Sequence, residues 1–353
     1  MIAAKIPHVP GAGVCTRTPD PFQPPHQNYE RLRCRQGTSM PEQNPFKRHL
    51  LTRRIPTVLV LSVALLLGAA IPAHAQYLGL NLRGDTGLKS GSQPGPGYYF
   101  ALPLYYRSDY STLKLPNGNT APGDYGVGVG LLAPVVAVTT NWKILGANYG
   151  FQIVPTFMGN RQSLAGGAVE KNLGYGEADT YIQPINLGWH TKRADFLGAY
   201  GFYAPTGPRT LDMWAHEMVA GTTVYFDDAK TWHVAATMFY DINQRKRSRD
   251  IKVGQYMTIE GGVGRSFLKG VASTGMAYVM QWKTTNDSGA DIPPLLPRGK
   301  NTAYGLGPEI NMPLFAQGKF MGFVGFRYTF ELANSTNFQG RNLAVTLTLA
   351  RLR

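Results

Sequence analysis

Residues 342–351 read NLAVTLTLAR, a stretch in which bulky apolar side chains alternate with small or polar ones. Successive side chains of a β-strand point to opposite faces, so this period of two predicts a strand with two unlike faces. The bulky face holds Leu343, Val345, Leu347 and Leu349, and the other holds Asn342, Ala344, Thr346, Thr348 and Ala350. We expect the bulky face to meet hydrocarbon and the small or polar face to meet an enclosed interior.

Similar segments of about ten residues recur from Gln76 onward, separated by clusters of Gly, Pro, Asn and Asp. The predicted strands are Tyr98–Tyr106, Gly126–Thr139, Gly146–Met158, Ala178–His190, Asp195–Ala204, Glu217–Phe226, Trp232–Asp241, Gln255–Phe267, Thr274–Trp282, Thr302–Asn311, Phe320–Phe330 and Asn342–Arg351. They predict an all-β fold, a transmembrane up-and-down antiparallel β-barrel of about 12 strands.

A soluble β-sandwich shows the same period, so the choice depends on aromatic residues and loops. Aromatic side chains cluster near the predicted strand ends, as they do at the headgroup level of a membrane. They are Tyr98, Tyr99, Tyr105, Tyr106, Trp189, Trp232, Tyr240, Trp282, Tyr328 and Phe330. Long polar connections at 107–124, 159–176, 242–253 and 283–301, against short ones at 191–194 and 227–231, favour an outer-membrane barrel with the long loops outside.

Residues 47–75, KRHLLTRRIPTVLVLSVALLLGAAIPAHA, have the three-part layout of a secretory signal peptide. A retained anchor helix is the alternative, but the apolar stretch is shorter than the roughly 20 residues that a spanning helix needs. We therefore expect a signal peptide at 40–75, cleavage before Gln76, and a barrel of residues 76–353 in the cell outer membrane. Residues 1–39 are expected to be a disordered extension or to precede the true start at Met40.

The positions of the cysteines and of the charged residues limit which sites and partners the chain is expected to have. Both cysteines, Cys15 and Cys34, precede the predicted cleavage site, so the barrel is expected to lack disulfides and thiolate metal sites. The formal net charge is +14, but nine of the 35 basic residues lie in 1–75. The one dense basic run, Arg245, Lys246, Arg247 and Arg249, has no interleaved aromatic residues and is assigned to an extracellular loop. We expect outer-membrane lipid and the barrel-assembly machinery as partners, and no nucleic acid.

No motif points to catalysis. The histidines after the predicted signal are His190, His216 and His233, and none is linked to a serine by a recognisable pattern or paired at metal-ligand spacing. A Ser/His/acid site that uses His216 or His233 remains an alternative. We expect no enzyme activity, no cofactor and no metal.

Charged residues inside predicted strands are the better functional candidates. Glu260, Glu309 and Arg327 share faces with Gly, Thr or Asn, and a charge facing lipid near the midplane costs about 2–4 kcal/mol, so we expect all three to point inward and to pair across the lumen. Polar candidates for the lumen or substrate path are Gln152, Gln183, Asp241 and Gln281. These residues form either a network that fills a narrow barrel or a selectivity ring that contacts the substrate.

Several short motifs, in order, resemble the meta-pathway phenol-degradation family, outer-membrane transporters found beside aromatic-catabolism genes. They are Pro94-Gly95-Pro96-Gly97-Tyr98-Tyr99, Tyr105-Tyr106, Ala204-Pro205-Thr206-Gly207, Tyr240-Asp241-Ile242-Asn243 and Gly307-Pro308-Glu309. The resemblance covers most of residues 80–350, and the basic run at 245–249 and the basic C-terminus depart from it. It implies a channel for small hydrophobic or aromatic compounds and brings no catalytic residues. An outer-membrane hydrolase, a non-transporting structural barrel and a soluble periplasmic sandwich are the alternatives.

Overall fold

The structure, a computed structural model, describes residues 80–164, 169–268, 270–292 and 298–352. The expectations for residues 1–75, including the signal peptide, lie outside the described residues. Among those described, no helix is long and apolar enough to cross a membrane.

Fifteen β-strands follow one another along the described part of the chain. They are β1 (Gly97–Lys114), β2 (Tyr125–Leu132), β3 (Val135–Ile144), β4 (Ala147–Val154), β5 (Phe157–Leu164), β6 (Val169–Glu177), β7 (Thr180–His190), β8 (Ala194–Ala204), β9 (Ala215–Tyr225), β10 (Trp232–Asn243), β11 (Tyr256–Phe267), β12 (Ala272–Lys283), β13 (Thr302–Ala316), β14 (Lys319–Ser335) and β15 (Asn337–Leu352).

These strands form one antiparallel sheet that closes on itself where β15 pairs with β1. Three strands of the barrel wall are each interrupted once, since β2 continues as β3, β4 as β5 and β6 as β7. Pro134 and Pro155 lie at two of the interruptions, where a residue without a backbone N–H cannot donate to the ladder. The wall therefore has twelve strands, and the predicted antiparallel barrel is confirmed.

Two of the predicted loops are wrong. Residues 107–114 continue β1, and 159–176 contain most of the β5–β6 hairpin. Both stretches carry polar residues on both faces, so they lack the alternation that marks a lipid-facing strand. Arg161 of β5 and Glu170 of β6 form an exposed ion pair at 2.8 Å. Strands that extend beyond the hydrocarbon layer need no apolar face, which explains why the pattern does not show them.

The two ends of the barrel differ. Strands β1 and β15 begin and finish at the end that carries the short turns, and two of these turns, Leu145-Gly146 and Gln317-Gly318, have positive φ at both residues. Such two-residue turns match the twist of a tight hairpin. The other end carries the connections 115–124, 205–214, 244–255 and 284–301. Long loops face outward in outer-membrane barrels, so we call these the periplasmic end and the outer end.

The faces of the strands follow the predicted alternation. In the paired strands β11 and β12, Val263 and Met276 are exposed, whereas Ala277 and Val279 are buried. Tyr106 departs from the expected position at the membrane surface, because it is buried inside the barrel. A bulge between Pro103 and Tyr105 shifts the alternation of β1 and turns Tyr106 inward.

Candidate functional site

Residues 80–96 lie inside the barrel as an irregular stretch, which we call the inner segment. Near the outer end, Leu80 packs against a cluster that includes Ile251 and Tyr256. Near the periplasmic end, the Gln93 side-chain amide donates to the backbone and side-chain oxygens of Asn186, both at 2.9 Å. The inner segment therefore runs along the barrel from one end to the other. The sequence patterns did not predict it.

Glu260 on β11 holds the middle of the inner segment. Its carboxylate accepts hydrogen bonds from the backbone N–H groups of Gly84 at 2.7 Å and Thr86 at 2.8 Å, and from the Thr86 hydroxyl at 3.0 Å. Glu260 is fully buried, so these donors replace water around a carboxylate. The predicted inward position of Glu260 agrees with the structure, but its partners belong to the inner segment.

Glu309 and Arg327 are register partners on the adjacent strands β13 and β14, and their side chains form an ion pair at 2.8 Å. Arg327 also donates to the backbone oxygen of Gly84, and Glu309 accepts from the N–H of Leu88 at 3.3 Å. The pair is formed between neighbouring strands, so the expected pairing across the lumen is wrong. Adjacent strands lie about 5 Å apart, which is closer than the opposite walls of any barrel.

Close packing of the inner segment against the wall depends on glycine. A methyl group on Gly87 would clash with the carboxylate of Glu309, and one on Gly91 would clash with the backbone of Thr222. Because the segment has no room for side chains on this side, its backbone N–H groups reach the wall directly.

The inner segment leaves a cavity of about 840 Å³ beside it. The cavity extends from Arg249 at the outer end to Thr348 on the periplasmic half of β15. Five of the seven predicted lumen residues line it, namely Gln152, Gln183, Gln281, Glu309 and Arg327. The other two, Asp241 and Glu260, are buried and bond to the inner segment, since Asp241 accepts from the N–H of Asn81 at 3.4 Å.

One wall of the cavity carries a row of apolar side chains on β2, with the amides of Asn160 and Gln162 of β5 beside them. Val127, Val129 and Leu131 of β2 face into it, next to Met158 of β5. Glu260 of β11 and the Glu309–Arg327 pair of β13 and β14 lie on the side held by the inner segment. The cavity therefore offers an apolar surface to a solute, while most buried charges opposite are neutralised by partners.

The basic run at 245–249 contains two kinds of residue. Arg245 pairs with Asp250, and Arg247 pairs with Asp212 at 3.3 Å. Lys246 and Arg249 instead line the outer end of the cavity. Burial lowers the pKa of Lys246, although nearby Asp212 acts in the opposite direction. Partial burial would raise the pKa of Asp212, but hydrogen bonds from Ser248 and Arg247 outweigh it and lower that pKa.

Further buried polar contacts escaped prediction. Arg83 of the inner segment pairs with Glu331 at 2.8 Å, and Glu217 accepts from the hydroxyls of Tyr181 at 2.6 Å and Tyr203 at 3.3 Å. One signal for the inner segment was available: the sequence has about twenty residues between the predicted cleavage site and the first strand, which is long for a stretch without function.

In the described part of the chain, neither His216 nor His233 is hydrogen-bonded to a serine or a carboxylate, whereas His190 pairs with Asp195 at 3.1 Å. The ring nitrogens of His216 contact the Tyr200 hydroxyl at 2.7 Å and the Gln244 amide at 2.9 Å. His233 is fully buried beside the ring of Tyr225. The described residues hold no group of three or more His, Cys, Asp or Glu residues placed to bind a metal ion.

Comparison with known proteins finds one matching family model and several similar solved structures. The model of the family described as "Putative MetA-pathway of phenol degradation" matches residues 111–347. The crystal structure of the COG4313 outer membrane channel from Pseudomonas putida F1 is similar with a TM-score of 0.57 at 12% identity, over 77% of this chain and 100% of that one.

Two other solved structures resemble the chain only loosely. The β domain of the Bordetella autotransporter Brka has a TM-score of 0.37 at 10% identity, over 72% of this chain and 98% of its own. OccK7 (OpdD) of Pseudomonas aeruginosa has a TM-score of 0.24 at 8% identity, over 73% and 100%. No curated protein matches the chain.

Proposed function

Since this chain belongs to the phenol-degradation family whose model matches it, we propose that it is an outer-membrane channel for small hydrophobic or aromatic compounds. The similar fold of a protein described as an outer membrane channel supports the proposal that the chain is such a channel. The proposal that its solutes are hydrophobic or aromatic compounds rests on the cavity.

The carrying observation is a row of apolar side chains on one wall of a cavity that extends through much of the barrel. Val127, Val129, Leu131 and Met158 line it, with the rings of Tyr106 and Tyr110 on β1. Ligand sites are mostly apolar with a few placed polar groups, and 840 Å³ is within the usual range of about 300–1,000 Å³. A sugar or amino acid would lose hydration against this wall without recovering it, whereas an aromatic ring would gain from burial.

The test uses uptake by intact Gram-negative cells, because small aromatic solutes cross plain phospholipid vesicles unaided. Cells that express the chain should take up labelled toluene faster than cells with an empty vector. The double variant Val129→Arg/Leu131→Arg should return uptake to the vector rate, since it fills the cavity with long charged side chains. Asn119→Arg, in the exposed connection 115–124, is the control and should behave as wild type.

Equal uptake with and without the protein would contradict the channel and favour a structural barrel. Hydrolysis of an added ester by the purified protein would favour the hydrolase. Misfolding can be detected independently of both outcomes, because a folded barrel resists unfolding in SDS at room temperature.

We further propose that residues 40–75 are removed on export and that the barrel-assembly machinery inserts the rest. The pattern in 47–75 supports cleavage before Gln76. Intact mass spectrometry of protein purified from outer membranes should give a chain that begins at Gln76. A chain that retains the apolar stretch 58–70 would contradict the proposal.

A further inference from the structure

The outer end of the cavity is basic. Lys171 of β6, Arg209 in the connection 205–214, and Lys246 and Arg249 in the connection 244–255 all line it. These four cations come from three separate parts of the chain and meet at one opening. Two acidic residues, Asp179 and Asp212, line the opening, and Asp85 and Glu217 line the cavity farther in.

The two acidic residues already have partners. Asp212 accepts from the N–H of Ser248 at 2.9 Å and pairs with Arg247. Asp179 accepts from the Thr210 hydroxyl and from the N–H of Leu211 at 3.1 Å. Within the described residues, no carboxylate lies at ion-pair distance from Arg209, Lys246 or Arg249. The opening therefore presents three cations that form no direct ion pair with the protein, although Asp212 and Asp179 lie close to Lys246.

Apolar surface begins next to these cations. Leu173 lies two residues from Lys171 on the same face of β6, and Arg209 donates to its backbone oxygen. Met158 and Val129 continue the wall toward the centre of the barrel. A solute that enters from outside therefore meets cations first and an apolar wall immediately below.

We infer that the preferred solute is a small amphipathic organic anion, an aromatic carboxylate whose charged group contacts Lys246, Arg249 and Arg209 while its ring lies on the β2–β5 wall. This inference rests on the proposed channel function and names its substrate class. An uncharged aromatic compound would contact only the β2–β5 wall. A cationic aromatic compound would be repelled by the cations at the opening. A partly exposed ion pair contributes a factor of about two to five in affinity, so the contributions of two cations should be measurable.

The experiment measures binding directly, so that it does not depend on whether the channel conducts. Equilibrium dialysis of the full, detergent-purified protein uses labelled benzoate, benzyl alcohol and benzylammonium. The three compounds share the same aromatic ring and are negatively charged, neutral and positively charged. We expect benzoate to bind most tightly and benzylammonium most weakly. The benzoate preference should fall when salt is raised from 0.05 to 0.5 M, about a threefold change in screening length.

The variant Lys246→Gln/Arg249→Gln should weaken benzoate binding by about fourfold to twenty-fivefold and leave benzyl alcohol unchanged. The matched control is Arg245→Gln/Lys252→Gln, which removes two charges from the same connection at exposed positions that do not line the cavity. The control should bind benzoate as wild type does. Equal losses in both variants would show that benzoate responds only to net charge, and this would overturn the inference.

Failure of this inference is distinguishable from failure of the channel. Equal affinity for benzoate and benzyl alcohol, with normal toluene uptake by cells, would remove the anion preference and leave the channel. Benzoate binding that depends on Lys246 and Arg249, without toluene uptake, would support the anion site and contradict passage of neutral aromatic solutes.

Discussion

Glu260 connects the wall to the inner segment through hydrogen bonds that only a carboxylate can accept together. Glu260→Gln replaces one acceptor oxygen by an amide that opposes an N–H donor of Gly84 or Thr86. Hydrogen bonds to charged groups contribute about 1.5–3 kcal/mol, so we expect a comparable loss in the free energy of unfolding. We also expect larger single-channel currents in planar bilayers, because the inner segment is held less firmly.

A surface carboxylate provides the control for Glu260. Glu170→Gln removes the exposed pair with Arg161, which should change the free energy of unfolding by less than about 1 kcal/mol and leave the current as in wild type. If Glu260→Gln behaves like Glu170→Gln in both measurements, then Glu260 does not anchor the inner segment.

Glu309 and Arg327 should show strong coupling in a double-mutant cycle. Arg327→Met leaves Glu309 buried without its cation and should cost about 3–5 kcal/mol in urea unfolding in lipid vesicles. Addition of Glu309→Gln to Arg327→Met should recover part of this loss, because the unpaired charge disappears. Additive effects of the two substitutions would show that the pair does not act as a unit.

At the level of elements, the inner segment depends on glycines that allow its backbone to approach the wall. Gly91→Val should displace the segment, since even a methyl group there clashes with the backbone of Thr222. The strand pairings of β8, β9 and β10 involve no residue of the segment, so the barrel should remain folded. Limited proteolysis should then cleave within 80–96, while the rest of the chain resists.

Gly95→Val is the matched control, because a side chain at Gly95 meets nothing within 4 Å. It should leave the proteolysis pattern as in wild type. Cleavage at equal rates in both variants, or in neither, would show that the close contact at Gly91 does not fix the segment.

The strands that sequence patterns identify are those with lipid on one side. In β12 and β15 every second residue is bulky, and the predicted and observed bounds differ by a few residues. The β5–β6 hairpin and the inner segment show no such alternation, because neither touches hydrocarbon. The inward direction of Glu309 and Arg327 follows from the alternation of side chains along each strand. Their pairing depends on the register between β13 and β14, which the sequence does not encode locally.

For the whole molecule, the orientation of the two faces also separates an outer-membrane barrel from a soluble one. Val263 and Met276 are register partners whose side chains are 51% and 44% exposed, near the middle of β11 and β12. In water such a band of exposed bulky side chains would promote aggregation, whereas in lipid it is the solvated surface. The barrel therefore requires a membrane for its stability, and charges placed on this band should be tolerated according to their depth.

Met276→Arg should cost about 2–4 kcal/mol in the free energy of unfolding in lipid vesicles, because it places a cation near the bilayer midplane. Ile242→Arg is the matched substitution at the outer end of β10, where an exposed side chain reaches the headgroups, and it should cost about 0–1 kcal/mol. The same two variants compared in detergent micelles should differ less, since a micelle has no fixed midplane. Equal costs at both depths in vesicles would mean that the exposed bulky face does not lie in hydrocarbon, and the orientation of every strand would have to be reassigned.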